Sequence, residues 1–218
     1  MSGEIMKENN CGLRVGICGG TFDPIHNGHL VVAEYIRQEF DLDRVMFIPS
    51  GNPPHKDNTK VTDAELRFAM VQDAIQGNPF FEVSRIEIDR KGYTYTVDTL
   101  KALREIHGSS YHLFFIVGAD VVPDLLSWKN YTEVFALCEF IAVLRPGYSY
   151  SSFSDEIRKL GEKYGAVIHT LEAPLVDISS TGVRERVRSG KSIKYLVPDP
   201  VEKFIAGKQI YRDGSSYV

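Results

Sequence analysis

What this sequence lacks narrows it first. Cysteine is scarce: Cys11, Cys18 and Cys138 are an odd, widely spaced trio. They form neither a CxxC metal pair nor a disulfide framework, and they read as reduced thiols in a cytoplasmic protein. Long apolar runs are missing. The purest ones, Leu113 to Val117 and Phe140 to Leu144, fall far short of the ~20 residues that a membrane-spanning helix needs. The polar stretch Met1 to Asn10 lacks the apolar core of a signal peptide. An excess of basic charge is missing too: 25 Lys and Arg stand against 29 Asp and Glu, for a net charge of −4. Bulk nucleic-acid binding, which needs a basic face to displace counterions, is therefore not expected. A small local anion site remains open. No internal repeat, low-complexity tract or long linker interrupts the chain.

What is present is an ordinary globular mixture, 43% hydrophobic and 25% charged over 218 residues. At ~150 residues per domain this is one domain with elaborations. Strand-like and helix-like segments alternate. Leu13 to Cys18 and Arg44 to Ile48 are short apolar strands. Tyr111 to Val117 and Glu139 to Leu144 are continuous apolar runs of the kind buried on both faces of a sheet. Val167 to Leu171 is a further strand. Gly28 to Phe40, Thr62 to Ile75, Tyr95 to Ile106, Ser152 to Tyr164 and Ser179 to Ser189 read as helices. Thr62 and Glu65 are spaced as a capping box, and Gly108 ends its helix. Such a β-α-β-α order predicts an α/β fold, a doubly wound parallel sheet covered by helices on both sides. Functional loops then lie at the carboxyl ends of the strands.

The densest chemical signal follows the first strand: Gly19-Gly20-Thr21-Phe22-Asp23-Pro24-Ile25-His26-Asn27-Gly28-His29. Two glycines after a strand let backbone approach a ligand closely. A helix starting near Asn27 offers free N–H groups and a positive dipole end to an anion. His26 and His29, three residues apart, can face one bound group. Each imidazole can donate a hydrogen bond to a phosphate oxygen, more strongly if protonated.

Three other patterns carry less. Ser189-Gly190-Lys191-Ser192 ends like a P-loop, but Glu185 holds the earlier glycine position. The first turn is not GxGxxG, which removes the main fingerprint of a hydride-transferring Rossmann enzyme. Glu39, Asp41 and Asp43 lie near the ribose-binding spacing but read as a solvated helix end.

His26-x-Gly28-His29 resembles the HxGH signature of the nucleotidyltransferase superfamily, which includes the class I aminoacyl-tRNA synthetases. Ile178-Ser179-Ser180-Thr181-x-x-Arg184 is similar to its ISSTxxR signature. Hydroxyls and free N–H groups at a helix start suit a triphosphate, and Arg184 adds a charged fork. Pro53-Pro54-His55-Lys56, Tyr95-Thr96-Val97-Asp98-Thr99-Leu100, Gly118-Ala119-Asp120, Ser127-Trp128, Arg145-Pro146-Gly147 and Tyr195-Leu196-Val197-Pro198 narrow the resemblance. They resemble the bacterial nicotinate mononucleotide adenylyltransferases, with Thr94 where serine is usual.

The resemblance runs from about 13 to 206, leaving an N-terminal extension at 1–12 and a tail at 207–218. It implies a single-domain, Rossmann-like nucleotidyltransferase of NAD biosynthesis. ATP and nicotinate mononucleotide would give nicotinate adenine dinucleotide and pyrophosphate, with Mg2+ accompanying ATP. His26 and His29 are the catalytic candidates, with no protein metal ligands. Gly19, Gly20, Thr21, Phe22, Gly118, Asp120, Ser179, Ser180, Thr181 and Arg184 are candidates for ATP. His55, Lys56, Tyr95, Thr96, Trp128 and Arg145 are candidates for the mononucleotide. Its partners are these small molecules, not nucleic acid or membrane, and monomer and homo-oligomer both stay open. So do another acceptor for the same chemistry, a non-catalytic nucleotide-binding regulator, and a nicotinamide-dependent oxidoreductase.

Overall fold

The computed structural model describes residues 12–52, 61–144, 150–174 and 176–212. Six strands form one sheet: β1 (Leu13–Gly20), β2 (Arg44–Pro49), β3 (Phe81–Val83), β4 (Tyr111–Gly118), β5 (Glu139–Leu144) and β6 (Ile168–Glu172). Their order is β3-β2-β1-β4-β5-β6, and every neighbouring pair is parallel. This is the doubly wound α/β arrangement expected from the sequence. The winding direction reverses between β1 and β4, and ligands of such sheets bind in the crevice at that reversal.

Among the described residues seven α-helices cover the sheet: α1 (Asn27–Glu39), α2 (Ala64–Ile75), α3 (Thr96–His107), α4 (Tyr131–Leu137), α5 (Tyr150–Tyr164), α6 (Ser180–Arg188) and α7 (Asp199–Lys208). The strand alternation sorts them. Val15, Ile17, Leu113, Phe115 and Phe140 point to one face, into a core shared with α3, α4 and α5. Val45, Phe47, Phe114, Ile116 and Ile141 point to the other, against α1, α2, α6 and α7. Each such side chain contributes about 1.5–3 kcal/mol on burial. Use of both faces explains why β4 and β5 are unbroken apolar runs.

Local differences from the sequence reading have simple causes. The cap of α2 is Asp63, not Thr62: its carboxylate accepts from the N–H groups of Glu65 and Leu66. Thr62 is instead buried. β3 has only three residues, too few for a periodicity to register. Residues Ala119–Ser127, with Pro123 inside, form a 3-10 helix to which the sequence reading assigned no element. The Ser189-Gly190-Lys191-Ser192 stretch is a helix end, with Gly190 at φ 66°. Asp43 accepts from the Arg14 N–H at the amino end of the sheet, far from any carboxyl-end crevice. Burial pushes the Cys18 and Cys138 thiols up to about 12, which leaves little reactive thiolate at neutral pH. Residues 207–212, beyond the span of the resemblance, carry the end of α7 and the buried Ile210 and Tyr211. Among the described residues no helix is long and apolar enough to cross a membrane.

Candidate active site

The loop from β1 to α1 is built under tension. Phe22 sits at φ 49°, a left-handed backbone that bulky residues rarely adopt. Its ring is buried against Phe47 and meets His29 edge-on at 5.1 Å. So Phe22 faces the core rather than solvent. The carbonyl oxygens on either side of it are both held: Thr21 O accepts from Arg67 Nη1, and Asp23 O accepts from Arg184 Nη1, each at 2.7 Å.

His26 is the N-cap of α1 and is 6% exposed. His29 stacks on it, with ring centroids 3.7 Å apart and planes 23° from parallel. The backbone N–H of His26 donates to His29 Nδ1 at 3.2 Å. That bond needs a bare Nδ1, so the neutral His29 ring carries its proton on Nε2. His26 Nδ1 is buried with no hydrogen-bond partner. Gly28 matters here, because a Cβ at that position would lie 3.1 Å from His26 Nδ1. Burial lowers the His26 pKa to about 4; burial, then the neighbouring His26, lowers that of His29 to about 3. Both rings are thus neutral donors at neutral pH, not the protonated ones that would bind an anion most strongly.

The second motif comes from the other end of the chain and meets the first. After β6 the backbone crosses to the opposite face of the sheet, where Val183 of α6 joins the core of α1. Ser179 caps α6, its Oγ accepting from the Gly182 N–H at 3.1 Å. Ser180 Oγ donates to Pro24 O at 2.8 Å. Arg184 spans Asp23 O and Thr181 Oγ1, at 2.7 and 3.2 Å. Ser180 and Arg184 are therefore partly occupied in joining the two loops. Thr181 Oγ1 accepts there, which leaves its own O–H, exposed at the start of α6, free for a ligand. A third segment completes the join: the N–H and Nδ2 of Asn27 donate to Leu196 O and Tyr195 O at 2.9 and 2.8 Å.

Other candidates line the carboxyl end of the sheet. Gly19 and Gly20 finish β1, and Gly118 finishes β4. Asp120 is exposed in the first turn of the 3-10 helix that follows. Tyr95 caps α3 and Thr96 opens it, where N–H groups have no intrahelical acceptor. Trp128 is half-buried, edge-on to Phe115 at 5.8 Å and to Phe140 at 6.2 Å. Lys129 Nζ lies 4.2 Å from the Tyr95 ring centroid. His55, Lys56 and Arg145 lie outside the described residues. Sequence reasoning missed Arg67 and Tyr211, which hold the first loop from below. For Arg67 the signal was there: it shares the i, i+3, i+4, i+8 apolar face of α2 with Met70, Val71 and Ile75.

Two helix N-termini bearing imidazoles and hydroxyls, set at a reversal point of a parallel sheet, define a nucleotide-handling transferase. The cytidylyltransferase-like family model matches residues 17–186. A probable nicotinate-nucleotide adenylyltransferase of Thermoanaerobacter sp. strain X514 is 52% identical, over 92% of this chain and 95% of that one. Its counterpart in Moorella thermoacetica is 49% identical, over 91% and 92%. A Plasmodium falciparum nicotinic acid mononucleotide adenylyltransferase complexed with NaAD shares the fold, with a TM-score of 0.74 at 20% identity, covering 91% of this chain and 97% of that one. This chain belongs to the nicotinate-nucleotide adenylyltransferase family.

Proposed function

We propose that the protein joins ATP to nicotinate mononucleotide, releasing pyrophosphate and forming nicotinate adenine dinucleotide in the cytoplasm. The observation that carries this reading is the stitching of the two helix starts, Ser180 Oγ to Pro24 O and Arg184 to Asp23 O. It puts the imidazoles and the hydroxyl-rich turn on one side of the molecule. The family of the relatives supports the choice of acceptor.

The phosphate of the mononucleotide is already an anion at neutral pH, so it attacks the α-phosphorus of ATP without a protein nucleophile. The bond to pyrophosphate breaks as the new phosphoanhydride forms. The chain's own work is positioning and charge stabilisation. His29 donates through Nε2–H to the oxygens of the α-phosphate, and His26 supports it from the helix cap. The α6 start, with Thr181 and Arg184, holds the leaving pyrophosphate. Gly118 and Asp120 face the adenosine ribose. Thr96 and the free N–H groups of α3 read the pyridine carboxylate, Trp128 offers its ring to the pyridine, and Tyr95 borders it.

Among the described residues no three His, Cys, Asp or Glu side chains converge as a metal site. A divalent ion would arrive with the triphosphate, and Asp120, exposed at the carboxyl end of the sheet, is a carboxylate that would share in holding it. Mg2+ would neutralise charge on the phosphates, held mainly by their oxygens and water.

The test is product analysis with ATP and either the acid or the amide mononucleotide. The acid should yield dinucleotide and pyrophosphate many times faster. Equal rates with both, or no product from the acid, would overturn the reading.

A further inference from the structure

Arg67 is an arginine where the helix pattern asks for an apolar side chain. It is 1% exposed, among the most deeply buried large side chains of the protein. All three guanidinium nitrogens are used, each at 2.7 Å from a backbone carbonyl: Nε to Thr62 O, Nη1 to Thr21 O and Nη2 to Ser50 O. Those carbonyls belong to three separate segments: the loop after β1, the end of β2 and the entry to α2. A planar fork reaches three acceptors at once; a point-like ammonium does not. Burial pulls this guanidinium below its ordinary pKa, while the charge of Asp23, foremost among its acidic neighbours, opposes the shift.

Asp23 is the second half of the device. Its Oδ1 accepts from Tyr211 O–H at 2.6 Å and its Oδ2 from the Thr62 N–H at 3.3 Å. Its backbone oxygen accepts from Arg184. Thr62 is thus gripped through its carbonyl by Arg67 and through its N–H by Asp23. Between the two grips lies Phe22, the strained residue, and three residues beyond Asp23 stands His26. A left-handed phenylalanine persists only where its surroundings over-determine it.

We propose that Arg67, with the Asp23–Tyr211 pair, is a positioning residue for catalysis: it clamps Thr21 to Asp23 in the strained form that aims the imidazoles at the reacting phosphate. The inference rests on the proposed adenylyl transfer. No substrate touches Arg67; its effect passes through the backbone of the first loop. Misplacement of reacting groups by about 1 Å costs on the order of a hundredfold in rate. The effect belongs to the chemical step. The acceptor's pyridine end is read by α3 and Trp128, and the three hydrogen bonds of Arg67 go to neither.

The experiment is steady-state kinetics of Arg67→Lys, well below its melting temperature, with the folded fraction measured by circular dichroism. We expect kcat per folded molecule to fall by about tenfold or more, with a clearly smaller change in the mononucleotide KM. A purely structural arginine would lower the melting temperature and leave kcat per folded molecule intact. That result overturns the proposal, as does a rise in acceptor KM equal to the loss in kcat. If Arg67→Lys does not fold, Tyr211→Phe tests the same clamp while keeping the ring. It should lose about threefold or more in kcat at unchanged acceptor KM, and an unchanged kcat overturns the clamp. Wild-type protein run in parallel separates the two ideas. Its failure to release pyrophosphate defeats the proposed function, whereas an active wild type with unimpaired variants defeats only the clamp.

Discussion

Two pairs of histidines sit at opposite ends of the same sheet and differ in every respect that matters. At the carboxyl end, His26 and His29 are stacked and enclosed, with no carboxylate in hydrogen-bond contact. At the amino end, His112 and His169 clasp Glu139, each Nε2 on a different carboxylate oxygen, at 2.7 and 2.6 Å. The second pair is more than a third exposed, and each ring has a carboxylate oxygen as partner inside the protein. Burial pushes the Glu139 pKa up, but the hydrogen bonds from His169 and His112 outweigh it and leave it below the ordinary value. The first pair is left wanting: the buried His26 Nδ1 has no hydrogen-bond partner among the described residues. A histidine cluster satisfied by its own protein is structural. A buried ring nitrogen left without a partner, as His26 Nδ1 is, stands open to a ligand.

That contrast can be broken most directly at His29. Replacing His29 by Ala should cut turnover about a hundredfold or more in a folded protein, the loss of one transition-state donor worth about 3 kcal/mol. Near-normal kcat in the variant would erase the distinction between the pairs.

A gentler probe is pH. Free histidine titrates near 6.5, while the folded values are about 4 for His26 and about 3 for His29. The unfolded chain therefore binds more protons between these limits, and stability must fall as pH drops from 6.5 toward 4. His26, which is buried, and His29, which is part-buried, should together account for a loss of about 1–2 kcal/mol, discounted for solvent screening. Urea titrations at both pH values, on wild type and on His26→Asn/His29→Asn, should show a flatter dependence in the double variant. Parallel curves would mean that the rings are not held neutral.

The smallest effect belongs to the other end. Glu139→Gln should leave turnover within about twofold and cost less than about 1 kcal/mol, because the cluster is half-exposed. A large kinetic loss there would show that the amino end takes part in catalysis.

Much of this was legible in the chain. The unbroken apolar strands announced a sheet buried on both faces, and Gly19-Gly20 with His26 and His29 announced an anion site at a helix start. The pairing of that site with Ser179 to Arg184 was readable only through the family resemblance, since no local pattern tells α6 to dock beside α1. Motif reading assigned Ser180 and Arg184 to the ligand alone, while their hydrogen bonds to Pro24 and Asp23 give them a second task. Three features stayed hidden for physical reasons. β3 is too short to show alternation. Arg67 looks like any solvated helix arginine until its apolar-face neighbours are counted. Tyr211 lies beyond the last motif, yet it reaches back across 188 residues to Asp23.

Because the first loop is completed by α6 and by Tyr211, the order of synthesis has a consequence. A chain without α6 and Tyr211 has β1 and the histidine-bearing helix but lacks the hydrogen bonds to Pro24 O, Asp23 O and the Asp23 carboxylate that complete the first loop. It has the scaffold of an enzyme and no working pocket. Competence therefore depends on segments made long after the histidines, and a chain cut before α6 should be catalytically silent rather than a slow enzyme.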